Sequence, residues 1–380
     1  MFMENLVWVE ISKEALKSNV KTFRSLVGES TILCPCVKAN AYGHGLIETS
    51  KIFLESGANW LAVNALYEAR TLRESGITAP IYVLGYIALS DLAEVLNLDL
   101  RIVVYNKETI LRLGELSKKS GKKAKIHIKI ETGNNRQGVL KEEIVDFVKY
   151  VLSFENLEIE GLSTHFANIE DTKDHSYAEN QLKKFNKIAA MVENLGVKVP
   201  FKHSANSAAT LLFPETHFEM VRPGIATYGM WPSDETFLSF SSERDVKISL
   251  SPALSWKTKI AQIKTVPSGE LIGYGCTYKT TRESKIAILP VGYYDGYDRG
   301  IANPHVLIHG KRAAQRGRVC MNIIMVDVTD IPEASLEDEV VLIGRDGDET
   351  ISAEQFAKWA WTINYEITTR INDRIPRIYV

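Results

Sequence analysis

ILCPCV (residues 32–37) is the first of eight short apolar runs, and the reading of these runs decides the fold. The others are WLAV (60–63), IYVLG (81–85), RIVVY (101–105), KIHIKI (125–130), LEIEGLSTHF (157–166), FKHSAN (201–206) and EMVRPGIATYG (219–229). Each gives way to a longer amphipathic stretch. Nearly continuous apolar runs separated by helical segments indicate parallel strands buried on both faces, and eight such units make a closed (β/α)8 barrel; an open doubly wound sheet usually has fewer. The connecting segments agree. In ISKEALKSNVKTFRSLV, Ile11, Ala15, Leu16, Val20 and Phe23 recur at helical spacing with Ser12 as candidate N-cap, and ALYEARTLRESG (65–76) ends at Gly76, a helix stop.

The stretch Trp231–Asp245, WPSDETFLSFSSERD, is rich in Ser, Asp and Glu and is expected to be a linker. Beyond about residue 250 the texture changes to closely spaced strand signals, among them ALSWKTKIAQIKTV, ELIGYGCTY, KIAILPVGYY and EVVLIG, with only AEQFAKWAW (353–361) reading as helix. That is an antiparallel β domain. The expected fold class is therefore α/β, an N-terminal (β/α)8 TIM-like barrel over residues 1–240 followed by a C-terminal mainly-β domain over 241–380.

With 380 residues, 45 Lys plus Arg and 47 Asp plus Glu, the net charge is −2, which leaves no basic surplus for nucleic acid or an anionic membrane surface. No window reaches the length and apolarity of a transmembrane helix, and Glu4 and Glu10 interrupt the start where a signal peptide needs basic and then apolar residues. A cytoplasmic chain is expected. Four cysteines (Cys34, Cys36, Cys276, Cys320) are too few for a disulfide scaffold and read as reduced thiols, and the eight histidines show no metal-binding spacing, so no metal is expected.

In a (β/α)8 barrel the active site lies at the C-terminal ends of the strands. The polar residues there are Lys38 after the first run, Lys129 and Arg136 near the fifth, His165 at the end of the sixth, Asn206 and Ser207 at the end of the seventh and Arg222 in the eighth. A lysine at a strand end can snorkel to solvent; it can also be a Schiff-base lysine, whose amine must be desolvated or held near a cation to be nucleophilic. The loops after strands 7 and 8 are the expected phosphate site, where HSANSAA and VRPGIATYG offer the Ser207 hydroxyl and the backbone of Gly224 and Ile225. A strand-1 lysine, a strand-8 arginine and a phosphate site together suggest pyridoxal 5'-phosphate.

VKANAYGHG (37–45), KIETGNNRQG, STHFA, HSANSAA, VRPGIATYG, GYGCTY, GRVCM and INYE, in this order from end to end of the chain, resemble the alanine racemase family. The resemblance implies a homodimer with shared active sites, in which Lys38 holds the cofactor and serves as one base while Tyr278, from the β domain of the partner subunit, serves as the other. Lys38 would act on the D-enantiomer and Tyr278 on the L-enantiomer, since racemisation needs proton-moving groups on both faces of Cα.

Further roles come from the same resemblance. Tyr42, Ser207, Gly224, Ile225 and Tyr365 match phosphate ligands, with Asn206 beside them. Arg222 matches the arginine on the pyridine nitrogen, His165 the histidine that contacts it, and Arg136 a donor to the cofactor's phenolic oxygen and the substrate carboxylate. Lys129 matches a lysine that is often carbamylated. Met321 matches a backbone donor to the carboxylate. Tyr293 and Tyr297, with Glu170, His203 and Arg318, fall where the family lines its access corridor.

One position departs from the pattern. The family commonly reads CMD where this chain reads Cys320-Met321-Asn322, and asparagine there resembles serine racemase domains of vancomycin-resistance proteins, which also carry a membrane region. The expected activity is interconversion of L- and D-alanine, supplying D-alanine for peptidoglycan, with a serine/alanine or broader-specificity racemase as alternative. A non-catalytic pyridoxal-phosphate carrier and an amino-acid decarboxylase are more distant alternatives, because carriers lack a β domain and decarboxylases are generally longer.

Overall fold

The structure is a computed structural model that describes residues 5–243 and 246–380. It divides into two compact units, one of Glu14–Ala41 and Leu46–Ser251, the other of the chain up to Lys13, Tyr42–Gly45 and Pro252–Val380. The first strand, β1 (Val7–Ile11), thus joins the β unit, and the boundary falls at 251/252 where the sequence suggested 240/241.

The first unit contains β2 (Ile32–Leu33), β3 (Leu61–Val63), β4 (Ile81–Val83), β5 (Leu100–Val104), β6 (Ala124–Lys129), β7 (Leu157–Ser163), β8 (Phe201–His203) and β9 (Met220–Val221). All eight coincide with the apolar runs. β3 to β8 pair parallel in chain order, β2 pairs parallel with β9, and a Cys36–Ala62 bridge ties the β2 run to β3. The cylinder closes through backbone bonds from Arg222 N–H to the Ala205 carbonyl (2.9 Å) and from Cys36 N–H to the Pro223 carbonyl (2.8 Å). Burial on both faces follows from closure, because the outward side chains meet helices and the inward ones meet each other.

Local signals set the helices. Asn106 caps Lys107–Ser120 by accepting the Thr109 N–H at 2.8 Å, and Gly121 ends that helix at φ 69°. The expected linker is instead the helix Asp234–Glu243 of the barrel unit. Ser233 Oγ accepts the Thr236 N–H at 2.9 Å at its start, and the Trp231 ring packs on Phe237 and Phe240 with centroids 5.1 and 5.6 Å apart. Three aromatic side chains outweigh the polar composition.

In the β unit a ten-stranded sheet runs from Gln262–Val266 through Ser284–Leu289, Ile324–Asp327, Lys311–Gln315, His305–Ile308, Glu339–Asp346 and Leu254–Lys259 to β1 and Arg377–Tyr379, with Glu349–Ile351 added to Glu339–Asp346. β1 lies antiparallel to Leu254–Lys259, with Val9 opposite Trp256, and parallel to Arg377–Tyr379. Trp256, Tyr297 and Phe356 fill its core. A second helix, Asn364–Arg370, follows the expected one and carries Tyr365. Among the described residues no helix is long and apolar enough to cross a membrane.

Candidate active site

Lys38 follows the buried run of β2, and the chain behind it turns the wrong way for L-residues. Ala39, Asn40 and Ala41 have φ of 52–54° with ψ of 45–56°, and Tyr42 continues at φ 53°. Left-handed helical backbone costs roughly 1–2 kcal/mol per residue, so something must hold it. In the barrel unit that is Glu68, 2% exposed, whose Oε1 accepts the Ala39 N–H at 2.6 Å while Oε2 accepts those of Asn64 and Ala65 at 2.8 and 2.9 Å. Asn40 Oδ1 accepts the Leu46 N–H at 2.8 Å. The turn fixes where Lys38 leaves the strand.

The C-terminal ends of the barrel strands bring Lys38, Lys129, Arg136, His165 and Arg222 close enough for their charges to act on one another. Desolvation, then Arg222, Arg136 and Lys38, hold the Lys129 amine well below the usual lysine range, with Glu131 opposing. Desolvation and the same cations, with Lys129, hold His165 well below the usual imidazole range. Lys129, Arg136 and His165 also line one cleft with Asn134 and Gln137. Lys38, Arg136 and Arg222 at the barrel mouth are suited to an anionic ligand.

After β8, Ser207 opens the helix Ser207–Leu212, and its Oγ accepts the N–H groups of Gly224 (2.8 Å) and Ala226 (3.4 Å). This joins the two loops expected to bind phosphate. Asn206 is committed to structure, since Oδ1 caps the helix through the Ala209 N–H (2.9 Å) and Nδ2 donates to Glu170 Oε1 (2.7 Å). Its position beside the loop stands, but its side chain is a clamp.

Arg222, 5% exposed, donates from Nη2 to the carbonyls of Thr164 (3.0 Å) and Ser204 (3.4 Å) and from Nη1 to His203 Nδ1. Its imidazole partner is thus His203, where the sequence reading assigned His165. His203 lies fully buried inside the barrel, so it lines no corridor, and it continues to His127 (2.7 Å) and from there to Glu160 (3.1 Å). The sequence held the signal for His127: in KIHIKI, Ile126 and Ile128 alternate with Lys125, His127 and Lys129, a polar stripe pointing into the barrel.

The β unit carries the remaining residues. Tyr278 pairs across a short ribbon with Ile272, packs on the cluster of Ile272, Ile286 and Met325, and lies under the Arg316 guanidinium at 4.7 Å. Tyr42 and Tyr365 meet with ring centroids 6.0 Å apart. Met321 is 56% exposed, and Asn322 Nδ2 lies 3.5 Å from Asp295 Oδ2. Asp295 also accepts the Gly292 N–H at 2.9 Å. Gly292 is obligatory, because a Cβ there would sit 2.3 Å from the Cys320 carbonyl and 2.4 Å from that of Met321. Tyr293 is exposed, but Tyr297 is wholly buried in the core and cannot line an access corridor.

Buried neutral imidazoles set the pH dependence of stability. Desolvation lowers His127 and, with Arg222 nearby, His203 below the ordinary value of about 6.5. Their folded values lie below the unfolded one, so the unfolded chain takes up protons first as pH falls. Stability is full above about pH 6.5 and declines below it by up to about 1.4 kcal/mol per pH unit for each such histidine. Thermal unfolding should give a level Tm from pH 7 to 8 and a falling one from 6.5 to 5; a level Tm throughout would contradict neutral burial.

Comparison with known proteins agrees with this geometry. Residues 11–232 match the family description "Alanine racemase, N-terminal domain" and residues 253–379 "Alanine racemase, C-terminal domain". The chain is 43% identical to an alanine racemase of Methanococcus maripaludis over 98% of both chains, and 45% identical to one of Halothermothrix orenii over 98% of this chain and 96% of that one. The crystal structure of the Bacillus anthracis alanine racemase with bound L-Ala-P superposes with a TM-score of 0.93 at 39% identity, covering 100% of this chain and 96% of that one. The chain belongs to the alanine racemase family of pyridoxal-phosphate-dependent isomerases.

Proposed function

We propose that this alanine racemase works by two bases, Lys38 and Tyr278, around a cofactor held at the barrel mouth. The observation that carries the reading is the convergence of Lys38, Arg136 and Arg222 with a loop pair clasped by Ser207, at the strand ends of one barrel. The residues fit the cofactor: the cations suit its phosphate and phenolic oxygen, and the Ser207 hydroxyl with the backbone of Gly224 and Ile225 supplies donors that accept close approach. Tyr42 and Tyr365 are proposed as further phosphate ligands and Arg136 as the donor to the phenolic oxygen. When bound, pyridoxal phosphate supplies the electron sink that makes the α-proton of an amino acid acidic.

Lys38 would move the proton on the face of Cα that serves the D-enantiomer. Tyr278 moves it on the face that serves the L-enantiomer. Arg222 would hold the ring nitrogen, where a guanidinium that never gives up its proton would leave that nitrogen unprotonated and restrain side reactions. Arg136 and the Met321 N–H orient the substrate carboxylate. Lys129, held toward its neutral form, is the proposed carbamylation site, since only the neutral amine adds CO2, losing a proton as the carbamate forms.

A homodimer in which Tyr278 serves the second copy's barrel completes the proposal. Its support is the exposure of Leu271 (53%), Tyr274 (70%), Met321 (56%) and Ile323 (43%) along the Tyr278 ribbon and the turn that holds Met321, an apolar surface suited to a partner. The four cysteines are free, which fits a reducing compartment such as the cytoplasm, and the D-alanine formed would serve peptidoglycan synthesis. Tyr278→Phe should lower L-to-D turnover by about 10²–10⁴-fold while the visible absorbance of the bound cofactor persists. Unchanged turnover would remove Tyr278 from the mechanism.

A further inference from the structure

A chain of polar groups runs through the interior of the barrel from Arg222 to Glu160 in the middle of β7, and its hydrogen bonds can run in one direction only. Arginine has donors and no acceptors, so Arg222 Nη1–H donates and His203 Nδ1 presents a lone pair. The proton of His203 therefore sits on Nε2 and is donated to His127 Nδ1 at 2.7 Å. His127 in turn carries its proton on Nε2 and donates it to Glu160 Oε2 at 3.1 Å. A donor-only group at one end and an acceptor-only carboxylate at the other fix both tautomers.

The fold is shaped around this chain. Between β6 and β7 the register slips by one residue, Ile126 facing Ile159 and His127 facing Gly161, so Glu160 is the extra residue and turns toward the imidazole. Gly161 leaves room for the ring, since a Cβ there would lie 2.4 Å from His127 Nδ1. Tyr82 packs on both imidazoles at 4.7 and 5.4 Å, and Trp60 on His127 at 6.0 Å, which keeps water away. Arg101 and Lys125 hold the carboxylate ionised at 3.4 and 3.5 Å. Glu160 is kept below the usual carboxylate range by the His127 bond and these cations, against the opposing cost of desolvation.

We propose that Glu160 is a positioning residue for Arg222: its carboxylate locks His127 and His203 as neutral Nε2–H tautomers, so that His203 offers the guanidinium an acceptor and holds it in one orientation. Were His127 reversed, its Nδ1–H would face the Nε2–H of His203 and drive that ring to the other tautomer, whose Nδ1–H would face the arginine and push it off its seat. The inference rests on the reading that Arg222 faces the cofactor ring nitrogen, because only then does its orientation tune the cofactor. A carboxylate three residues away along a hydrogen-bond chain would thus act on the reaction without touching substrate or cofactor.

The first test is 15N NMR of the histidine-labelled holoenzyme at pH 7.5. It should show Nε2–H tautomers for His127 and His203; an Nδ1–H or a doubly protonated ring at either position overturns the proposal, and this arm needs no variant and no activity. The second is Glu160→Gln, whose amide can donate to His127 Nε2 and reverse the chain. It should move the 15N signals of both histidines, shift the absorbance maximum of the bound cofactor or its pH midpoint, and lower kcat at least tenfold with KM changed less than threefold. Moved histidine signals with an unchanged cofactor band and kcat would overturn the positioning role. A wild-type protein that binds no pyridoxal phosphate would instead overturn the assignment of the site, whatever the tautomers.

Discussion

Lys38→Ala should reduce racemisation of alanine by about 10⁴-fold or more and leave the barrel folded. On the proposed mechanism two functions leave with one amine, the covalent hold on the cofactor and the proton carrier on one face of Cα, and a positioned acid–base group alone is worth about 10²–10⁴-fold. The side chain makes no bond on which the strand depends, because the β2 run is held by backbone pairing to Met220 and Val221 and by the buried side chains of Leu33, Cys34 and Val37. Tm should therefore change little. The check is kcat in both directions with borohydride trapping: the variant should form no stable reduced adduct at this position. Retained activity in one direction only would mean that Lys38 binds the cofactor but shares its base role.

Glu68→Ala should do the converse, damaging stability first and activity as a result. The substitution strips acceptors from three N–H groups, those of Ala39, Asn64 and Ala65, next to a run of three left-handed residues in the same unit. Unsatisfied buried donors cost about 1–3 kcal/mol each, reduced where water enters the space left behind, so a loss of about 3 kcal/mol is expected. At about 2–4 °C per kcal/mol for domains of this size, Tm should fall by about 6–12 °C. Because the released turn carries Lys38, kcat should fall at least tenfold with it. Glu68→Gln, which keeps one accepting oxygen, should lie between. A Tm within 1 °C of the parent would show that the left-handed turn holds itself.

The barrel was legible because its evidence is local and repeated. Eight apolar runs with helices between them need no knowledge of partners, and the strand ends then indicate where Lys38, Arg136, Ser207 and Arg222 must lie. β1 was not legible as part of the β unit: VWVEI says strand, but its partners are Leu254–Lys259 and Arg377–Tyr379, hundreds of residues away. The helix Asp234–Glu243 was hidden by Ser and Asp, and only Trp231, Phe237 and Phe240 marked its packed face. ANAY gives no warning of left-handed backbone, since no glycine stands among those four; the reason lies in Glu68, far along the chain. His203 was placed in a corridor because a lone histidine carries no direction. Its role appears only when closure of the barrel sets it between Arg222 and His127.

Asn322 bears on which substrate is used. An amide 3.5 Å from Asp295 can donate and accept where the family's aspartate would only accept, and hydrogen-bonding a serine hydroxyl does not by itself exclude alanine. The most direct measurement is racemisation of L-alanine and L-serine in D2O by the purified holoenzyme, with enantiomers resolved chromatographically and deuterium at Cα read by mass spectrometry. A two-base alanine racemase predicts that L-alanine is converted to D-alanine carrying deuterium at Cα, with kcat/KM at least tenfold above that for serine, about 1.4 kcal/mol of discrimination. Cofactor absorbance without α-proton exchange from either amino acid would contradict the account, and serine turned over as well as alanine would contradict its choice of substrate.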